Sequence, residues 1–360
     1  MSAPMKTVGI AAASGEAKLG PWEFSRHAPG PNDVVIDVKY CGVCHSDIHT
    51  AKGDWGPAVY PCVPGHEAAG VISAVGSDVT KFKVGDHAGV GCFVDSCLDC
   101  SQCHAGDEQY CEKGTTMTYN SKPEHGRAGP VDAPTTYGGY SKTMVVNERF
   151  TMKIPQDYPL ECAGPLMCAA ITVWDPMTHW GAKEGTRVGI IGMGGLGMMG
   201  LKIAKGLGCD VTVITSSPSK VDSCKEMGAD HVIVSSSEES LKEAEKSLDL
   251  ILNTVSAPHE VTTYIPLLAS NGTIVQLGGV TTAHSLQQMP LMVSRRSVAG
   301  SFIGGIKATQ ECLDFCHKKG IKPNVEVISC DKINDAWDTL INKNNAVRRF
   351  VLDISNTLTA

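Results

Sequence analysis

The sequence predicts an α/β protein in two parts, a β-rich catalytic domain and a domain built on a doubly wound parallel sheet. Three observations predict it. At 360 residues the chain exceeds one ordinary hydrophobic core. Up to about residue 155 it carries short β-rich runs broken by Gly and Pro, such as Val34-Val35-Ile36-Asp37-Val38-Lys39-Tyr40 and Ala68-Ala69-Gly70-Val71-Ile72-Ser73-Ala74-Val75. Beyond about residue 160, apolar strand candidates at 187–191, 211–215, 231–234, 249–255 and 273–277 alternate with helix-length amphipathic stretches. Near the end, 307–319 and 331–342 read as helices and 349–353 as a strand. Periodicity alone leaves open which domain this tail joins.

Composition excludes several function classes. The formal net charge of -7 and the lack of a Lys/Arg run give no basic field for a polyanion, so no nucleic-acid partner is expected. The opening residues show no charged segment followed by an apolar core, and no later stretch is apolar enough to span a bilayer. The expectation is a cytoplasmic chain without a membrane partner. Fifteen cysteines in such a chain read as metal ligands and core residues rather than as a disulfide framework.

Arg187-Val188-Gly189-Ile190-Ile191 leads into Gly192-Met193-Gly194-Gly195-Leu196-Gly197, and a helix candidate follows from Met198 to Leu207. A strand, GxGxxG and a helix in this order form a dinucleotide-binding turn: Gly192 for the tight bend, Gly194 for backbone approach to a pyrophosphate, Gly197 for close helix–strand packing. Where the next strand ends, an NAD enzyme carries an acid for the ribose; here Ser216-Ser217-Pro218-Ser219-Lys220 stands instead. Two hydroxyls and an ammonium, with no carboxylate to repel a 2′-phosphate, favour NADP(H) over NAD(H). The competing reading is a serine-rich turn with a solvated lysine.

Cys97, Cys100, Cys103 and Cys111 lie close together in a polar loop, at spacing that suits the closed tetrahedral coordination of structural zinc. An iron–sulfur cluster uses the same number of thiolates, but nothing else in the chain points to redox chemistry. A second set comprises Cys44, His45 and His49, then Gly65-His66-Glu67, with further cysteines at Cys162 and Cys168. One Cys, one His and a second Cys would suit a catalytic zinc with an open position, although spacing does not show that they meet.

With Gly42-Val43-Cys44-His45-Ser46-Asp47-Ile48-His49, Pro64-Gly65-His66-Glu67, the four-cysteine loop and the glycine turn in this order, the chain resembles the zinc-containing medium-chain dehydrogenases nearly end to end. Glu108-Gln109-Tyr110-Cys111, Gly164-Pro165-Leu166-Met167-Cys168-Ala169 and Gly300-Ser301-Phe302-Ile303-Gly304 resemble the cinnamyl alcohol dehydrogenase group within them. The resemblance implies a GroES-like β-rich catalytic domain from 1–158 and 307–360 around a Rossmann domain at 159–306, and a homodimer. It implies two zinc ions: a catalytic one on Cys44, His66 and Cys168, with Glu67 behind it and Asp47 orienting the histidine, and a structural one on Cys97, Cys100, Cys103 and Cys111.

For the cofactor it implies Gly192, Gly194, Gly195, Leu196 and Gly197 at the pyrophosphate and Ser216, Ser217 and Lys220 at the 2′-phosphate. Thr172, Ser301 and Ile303 are implied as further cofactor contacts, with Arg349, or its neighbour Arg348, approaching the pyrophosphate. The implied reaction interconverts a primary alcohol and an aldehyde, aromatic of the cinnamyl type or medium-chain aliphatic. Ser46 resembles a hydroxyl relay that passes a proton toward His49 and solvent. Trp55, Cys62, Tyr119, Trp174 and Phe302 fall at the substrate-pocket positions of the group. Residues 121–136 form a longer polar loop than the group needs, expected at the pocket mouth. Two rival readings are a reductase of iminium or conjugated alkene substrates and a noncatalytic NADP-binding protein; the retained relay and zinc ligands speak against both.

Overall fold

The computed structural model describes residues 3–127, 129–280, 283, 285–342 and 348–359. Two compact units emerge, one of Met1–Cys168 with Gly304–Ala360, the other of Ala169–Ile303. The second unit thus opens ten residues later than the expected 159. The helix Leu160–Ala163 packs on strands Asp33–Gly42 and Ala68–Val75 and keeps this stretch in the first unit.

In the second unit six parallel strands lie in the order His231–Val234, Asp210–Thr215, Arg187–Ile191, Leu248–Asn253, Leu268–Gln276, Ser297–Gly300. Every pair is parallel. Such a sheet is covered on both faces, which is why its central strands read as unbroken apolar runs. Ile191, Ile214, Ile251, Leu268 and Ile274 form one cluster of its core. The strand expected at 249–255 stops at Asn253, because the Thr254 N–H and hydroxyl both turn onto the carbonyl of Ile191.

The first unit contains a seven-stranded sheet organised around Asp33–Gly42. That strand pairs antiparallel with Ala68–Val75 along one side. On its other side it pairs first with Thr143–Asn147 and then, through Tyr40 to Gly42, with Arg349–Asp353. The tail therefore returns to the first unit, with Ile306–Lys319 and Ile333–Asn342 as its helices. Among the described residues, no helix is long and apolar enough to cross a membrane.

Candidate metal centres and cofactor loop

Strand pairing assembles the first centre. Cys41 stands opposite Ala68, so the residues just beyond Cys41 and just before Ala68 leave the same end of the sheet together. Cys44 caps the helix His45–Lys52 there, and His66 and Glu67 lie on the facing chain. A 3-10 turn, Gly164–Met167, delivers Cys168. Gly42 is required by this crowding, since a Cβ there would lie 1.9 Å from Glu67 Oε2.

The four residues Cys44, His66, Glu67 and Cys168 are all buried, and their ligand atoms lie within 4.8 Å of one another. The Cys44 and Cys168 sulfurs are 3.9 Å apart, and His66 Nε2 is 3.2 Å from Cys168 Sγ. Two sulfurs bound at about 2.3 Å to a tetrahedral zinc would stand about 3.8 Å apart, so the donor set and its spacing fit that ion. Asp47, fully buried, orients the imidazole: its Oδ1 accepts from His66 Nδ1 at 3.0 Å and from the Gly65 N–H at 3.1 Å. Its Oδ2 accepts from the Cys44 N–H at 2.9 Å and the Tyr140 hydroxyl at 3.0 Å. With Nδ1 donating to the carboxylate, Nε2 is the atom left to bind a metal.

The charges at this centre are strongly coupled. The hydrogen bond from Cys168 draws the Cys44 thiol well below its ordinary range, against burial and helped by Arg349. The same bond, with Cys92 and burial, pushes Cys168 well up. Two adjacent buried thiolates repel one another, and a bound cation is what would allow both sulfurs to ionise. Burial lowers His66, but Asp47 and its neighbours more than offset it and hold the imidazole well above its ordinary value. Burial raises Glu67, opposed by Arg349.

The second centre is a loop between the short strands Phe93–Asp95 and Thr116–Met117. Cys97, Cys100, Cys103 and Cys111 converge within 4.8 Å. Sulfur separations of 3.9 Å for Cys97–Cys103 and 4.0 Å for Cys100–Cys111 again match the edge of a zinc tetrahedron. Backbone N–H groups of Cys97, Asp99 and Glu112 each point at a sulfur from 3.4 Å. The N–H groups of Cys103 and Glu112 lower Cys100 to about 6, while burial raises Cys103 to about 12. None of the fifteen cysteines is joined in a disulfide.

In the second unit the glycine turn ends the strand Arg187–Ile191 and begins the helix Gly195–Leu207, three residues earlier than expected, with Gly194 as its cap. Gly192 holds φ at 88°, a left-handed conformation that favours glycine. At Gly197 a Cβ would come within 2.0 Å of the Gly192 carbonyl. The N–H groups of Gly195, Leu196 and Gly197, at the helix start, are placed to receive an anion. Ser216 and Lys220 are exposed beyond the strand Asp210–Thr215, and Ser217 is half-buried with its hydroxyl 2.9 Å from that of Ser219.

The remaining expected residues divide. Ser46 Oγ lies 3.5 Å from Cys44 Sγ. His49, on the same helix, is stacked on Trp55 at 5.0 Å, and its Nδ1 is 2.8 Å from Asp54 Oδ2. Tyr119 is buried and stacks on His66 at 5.8 Å. Thr172 and Trp174 are buried on the helix Ala169–His179, and Phe302 is half exposed. Ser301 donates to Asp175 Oδ2 at 3.2 Å. Ile303 adopts φ 44°, unfavourable for a β-branched residue.

Two residues and one segment are held by neighbours of their own. Cys62 is 1% exposed, exchanges two backbone hydrogen bonds with Ala12, and burial raises its thiol to about 12. The Arg349 guanidinium is buried against Glu67, with Nε 3.1 Å from Oε2 and Nη2 bonded to Oε1. The 121–136 segment is tied to the four-cysteine loop, through Arg127 to Asp95 and His125 to Gly114. Sequence reasoning missed Asp54, Tyr140, Arg127 and Cys92, the last placed beside Cys168. A carboxylate five positions after His49 was the one signal available, and it carries no meaning until the helix end turns it back.

The alcohol dehydrogenase GroES-like domain pattern matches residues 30–156, and the zinc-binding dehydrogenase pattern matches 195–318. The chain is 46% identical over 352 residues to NADP-dependent alcohol dehydrogenase C of Mycobacterium bovis, covering 98% of this chain and 99% of that protein. Among solved structures it resembles the cinnamyl alcohol dehydrogenase SbCAD4 of Sorghum bicolor, with 39% identity, TM-score 0.93 and 99% of each chain covered. It also resembles the Helicobacter pylori enzyme of that type complexed with NADP(H), with 37% identity, TM-score 0.90, and 99% of this chain and 100% of that one covered. The sequence patterns, the near-complete overlap and the two cysteine-rich centres agree: the chain belongs to the zinc-binding medium-chain alcohol dehydrogenases, in their cinnamyl alcohol dehydrogenase group.

Proposed function

We propose that this protein is a zinc-dependent, NADP(H)-dependent alcohol dehydrogenase and aldehyde reductase acting on primary alcohols and aldehydes of aromatic or medium-chain aliphatic type. The observation that carries the reading is the buried Cys44–His66–Cys168 group with the Ser46 hydroxyl beside it. Zinc, held by those three residues, supplies Lewis acidity to the substrate oxygen, and NADPH supplies the hydride.

The chain's own residues do the rest. Asp47, braced by Tyr140 and two backbone N–H groups, fixes the imidazole of His66. Ser46 passes the proton of the substrate hydroxyl outward, and His49, held by Asp54, exchanges it with solvent. Trp55 and Tyr119 contribute apolar rings to the aldehyde's side. Glu67 is assigned the place behind the metal, Cys97 with Cys100, Cys103 and Cys111 the structural zinc. Gly192, Gly194, Gly195, Leu196 and Gly197 hold the pyrophosphate, and Ser216, Ser217 and Lys220 the 2′-phosphate; Thr172, Ser301 and Ile303 are further cofactor contacts.

A cytoplasmic home suits fifteen cysteines of which none is in a disulfide. A homodimer suits the outermost strand Ser297–Gly300, whose free edge lies near the exposed Met289, Met292 and Val293 in sequence. NADPH consumption against a panel of aliphatic, cinnamyl and benzyl aldehydes tests the substrate class. Selective turnover of the cinnamyl and medium-chain members supports it, and a preference for short aliphatic aldehydes contradicts it.

A further inference from the structure

The described residues 121–127 and 129–136 start and end side by side. Their ends are pinned by the Thr136 N–H on the Ser121 carbonyl at 2.8 Å and the Asn120 N–H on the Thr136 carbonyl at 2.9 Å. Their far side reaches the four-cysteine loop at both of that loop's ends. Arg127 Nε and Nη2 donate to Asp95 Oδ1 at 3.0 and 2.7 Å, and its backbone N–H donates to Asp95 Oδ2 at 3.3 Å. Nη2 also donates to the Ser96 carbonyl at 2.5 Å. His125 Nε2 lies 2.8 Å from the Gly114 carbonyl, three residues after Cys111.

Asp95 is the pivot. Its side chain is fully buried, and its Oδ1 also accepts from the Ser96 N–H at 2.9 Å. Ser96 in turn places its hydroxyl 3.4 Å from Cys103 Sγ, and the next residue is Cys97. A buried carboxylate needs a cation and hydrogen bonds, and Arg127 supplies both.

We propose that residues 121–127 and 129–136 act as a strap that retains the metal of the four-cysteine loop, with Arg127 as its positioning residue. This rests on reading that loop as a zinc site. Without the guanidinium, Asp95 is left buried and unpaired, Ser96 loses its anchor, and the entrance to Cys97 opens while Cys44, His66 and Cys168 keep every contact described above.

The test compares the zinc-loaded wild type with Arg127→Met, Arg127→Lys, Asp95→Asn/Arg127→Met and, as a control in the same segment, Asp132→Ala. Zinc content is measured by atomic emission, and release to a chromogenic chelator is followed in time. Wild type is expected to hold two zinc ions per chain. In Arg127→Met one of them leaves about tenfold faster, the scale on which partners of metal ligands act. The other keeps its rate, and alkylation with mass spectrometry finds the newly reactive thiols at Cys97–Cys111 rather than at Cys44 or Cys168. The double variant recovers part of the loss, Arg127→Lys is intermediate, and Asp132→Ala matches wild type. Should Arg127→Met not fold, Arg127→Lys carries the same comparison. Equal acceleration of both ions, or of neither, overturns the strap. A wild type holding one zinc, with Cys97–Cys111 freely alkylated, overturns the zinc reading of the loop itself.

Discussion

Arg349 Nε lies 3.1 Å from Glu67 Oε2, in a pair whose two side chains are almost wholly withdrawn from solvent. Breaking such a pair from one side leaves a charge that burial penalises. Arg349→Met is expected to destabilise the first unit by about 3–5 kcal/mol, read as a lower midpoint in urea. Glu67→Gln/Arg349→Met should recover much of that loss. A single variant as stable as wild type would show that the pair contributes nothing to folding.

The His49–Asp54 pair predicts a pH signature. Alcohol oxidation must export a proton, and hydroxide replaces the relay as the solution becomes alkaline. His49→Ala should lower kcat/KM for alcohol oxidation about 100-fold near neutral pH, with the gap narrowing above about pH 9. Asp54→Asn should give a smaller effect of the same shape, since the acid only orients the ring. A gap constant across pH would remove His49 from the proton path.

Cofactor choice is expected to turn on Ser216, Ser217 and Lys220. Lys220→Ala should raise KM for NADPH about tenfold, the loss of about 1.4 kcal/mol of charge-assisted binding, and leave NADH unchanged. Ser216→Asp should move preference toward NADH, because a carboxylate accepts from a ribose hydroxyl and repels the 2′-phosphate. Both are read from initial rates with each cofactor.

His27 offers a stability prediction with a defined sign. Its Nε2 is 3.3 Å from Asp33 and its Nδ1 2.8 Å from the Gly129 carbonyl, so both nitrogens can donate when it is charged, and the Asp33 hydrogen bond raises it above 6.5. A raised histidine contributes stability that is complete below the unfolded value and is lost as pH rises through the folded one. The difference in Tm between wild type and His27→Gln should therefore be largest at pH below 6.5 and shrink as pH climbs above it, with less than ~1 kcal/mol at stake in this partly solvated pair. A difference that grows with pH would reverse the sign and refute the assignment.

Much of this was legible from the chain. Strands 187–191 and 231–234 are where apolar run length puts them, and the four-cysteine cluster is local enough for spacing to reveal it. The tail was legible only through the family resemblance: periodicity left it open, and the antiparallel register of Arg349–Asp353 on Tyr40–Gly42 is what joins it to the first sheet. The contacts of Cys62 and Arg349 were not legible for a related reason: a motif position does not tell which way a side chain turns, and burial against Ala12 or Glu67 is a tertiary outcome. Tyr140 and Arg127 stayed invisible because each acts through a partner distant in sequence, and Asp54 because its nearness to His49 carries no meaning until the helix end turns it back.

The central claim, that Cys44, His66 and Cys168 hold the zinc on which NADPH-dependent aldehyde reduction depends, is tested most directly by titration. Metal-stripped protein is reconstituted with increasing zinc while cinnamaldehyde-dependent NADPH oxidation and zinc content are followed together. The account predicts that activity rises with occupancy of the Cys44–His66–Cys168 centre, and that His66→Ala abolishes turnover while losing one zinc of two. Full aldehyde turnover by stripped protein, or by His66→Ala lacking that zinc, would contradict it.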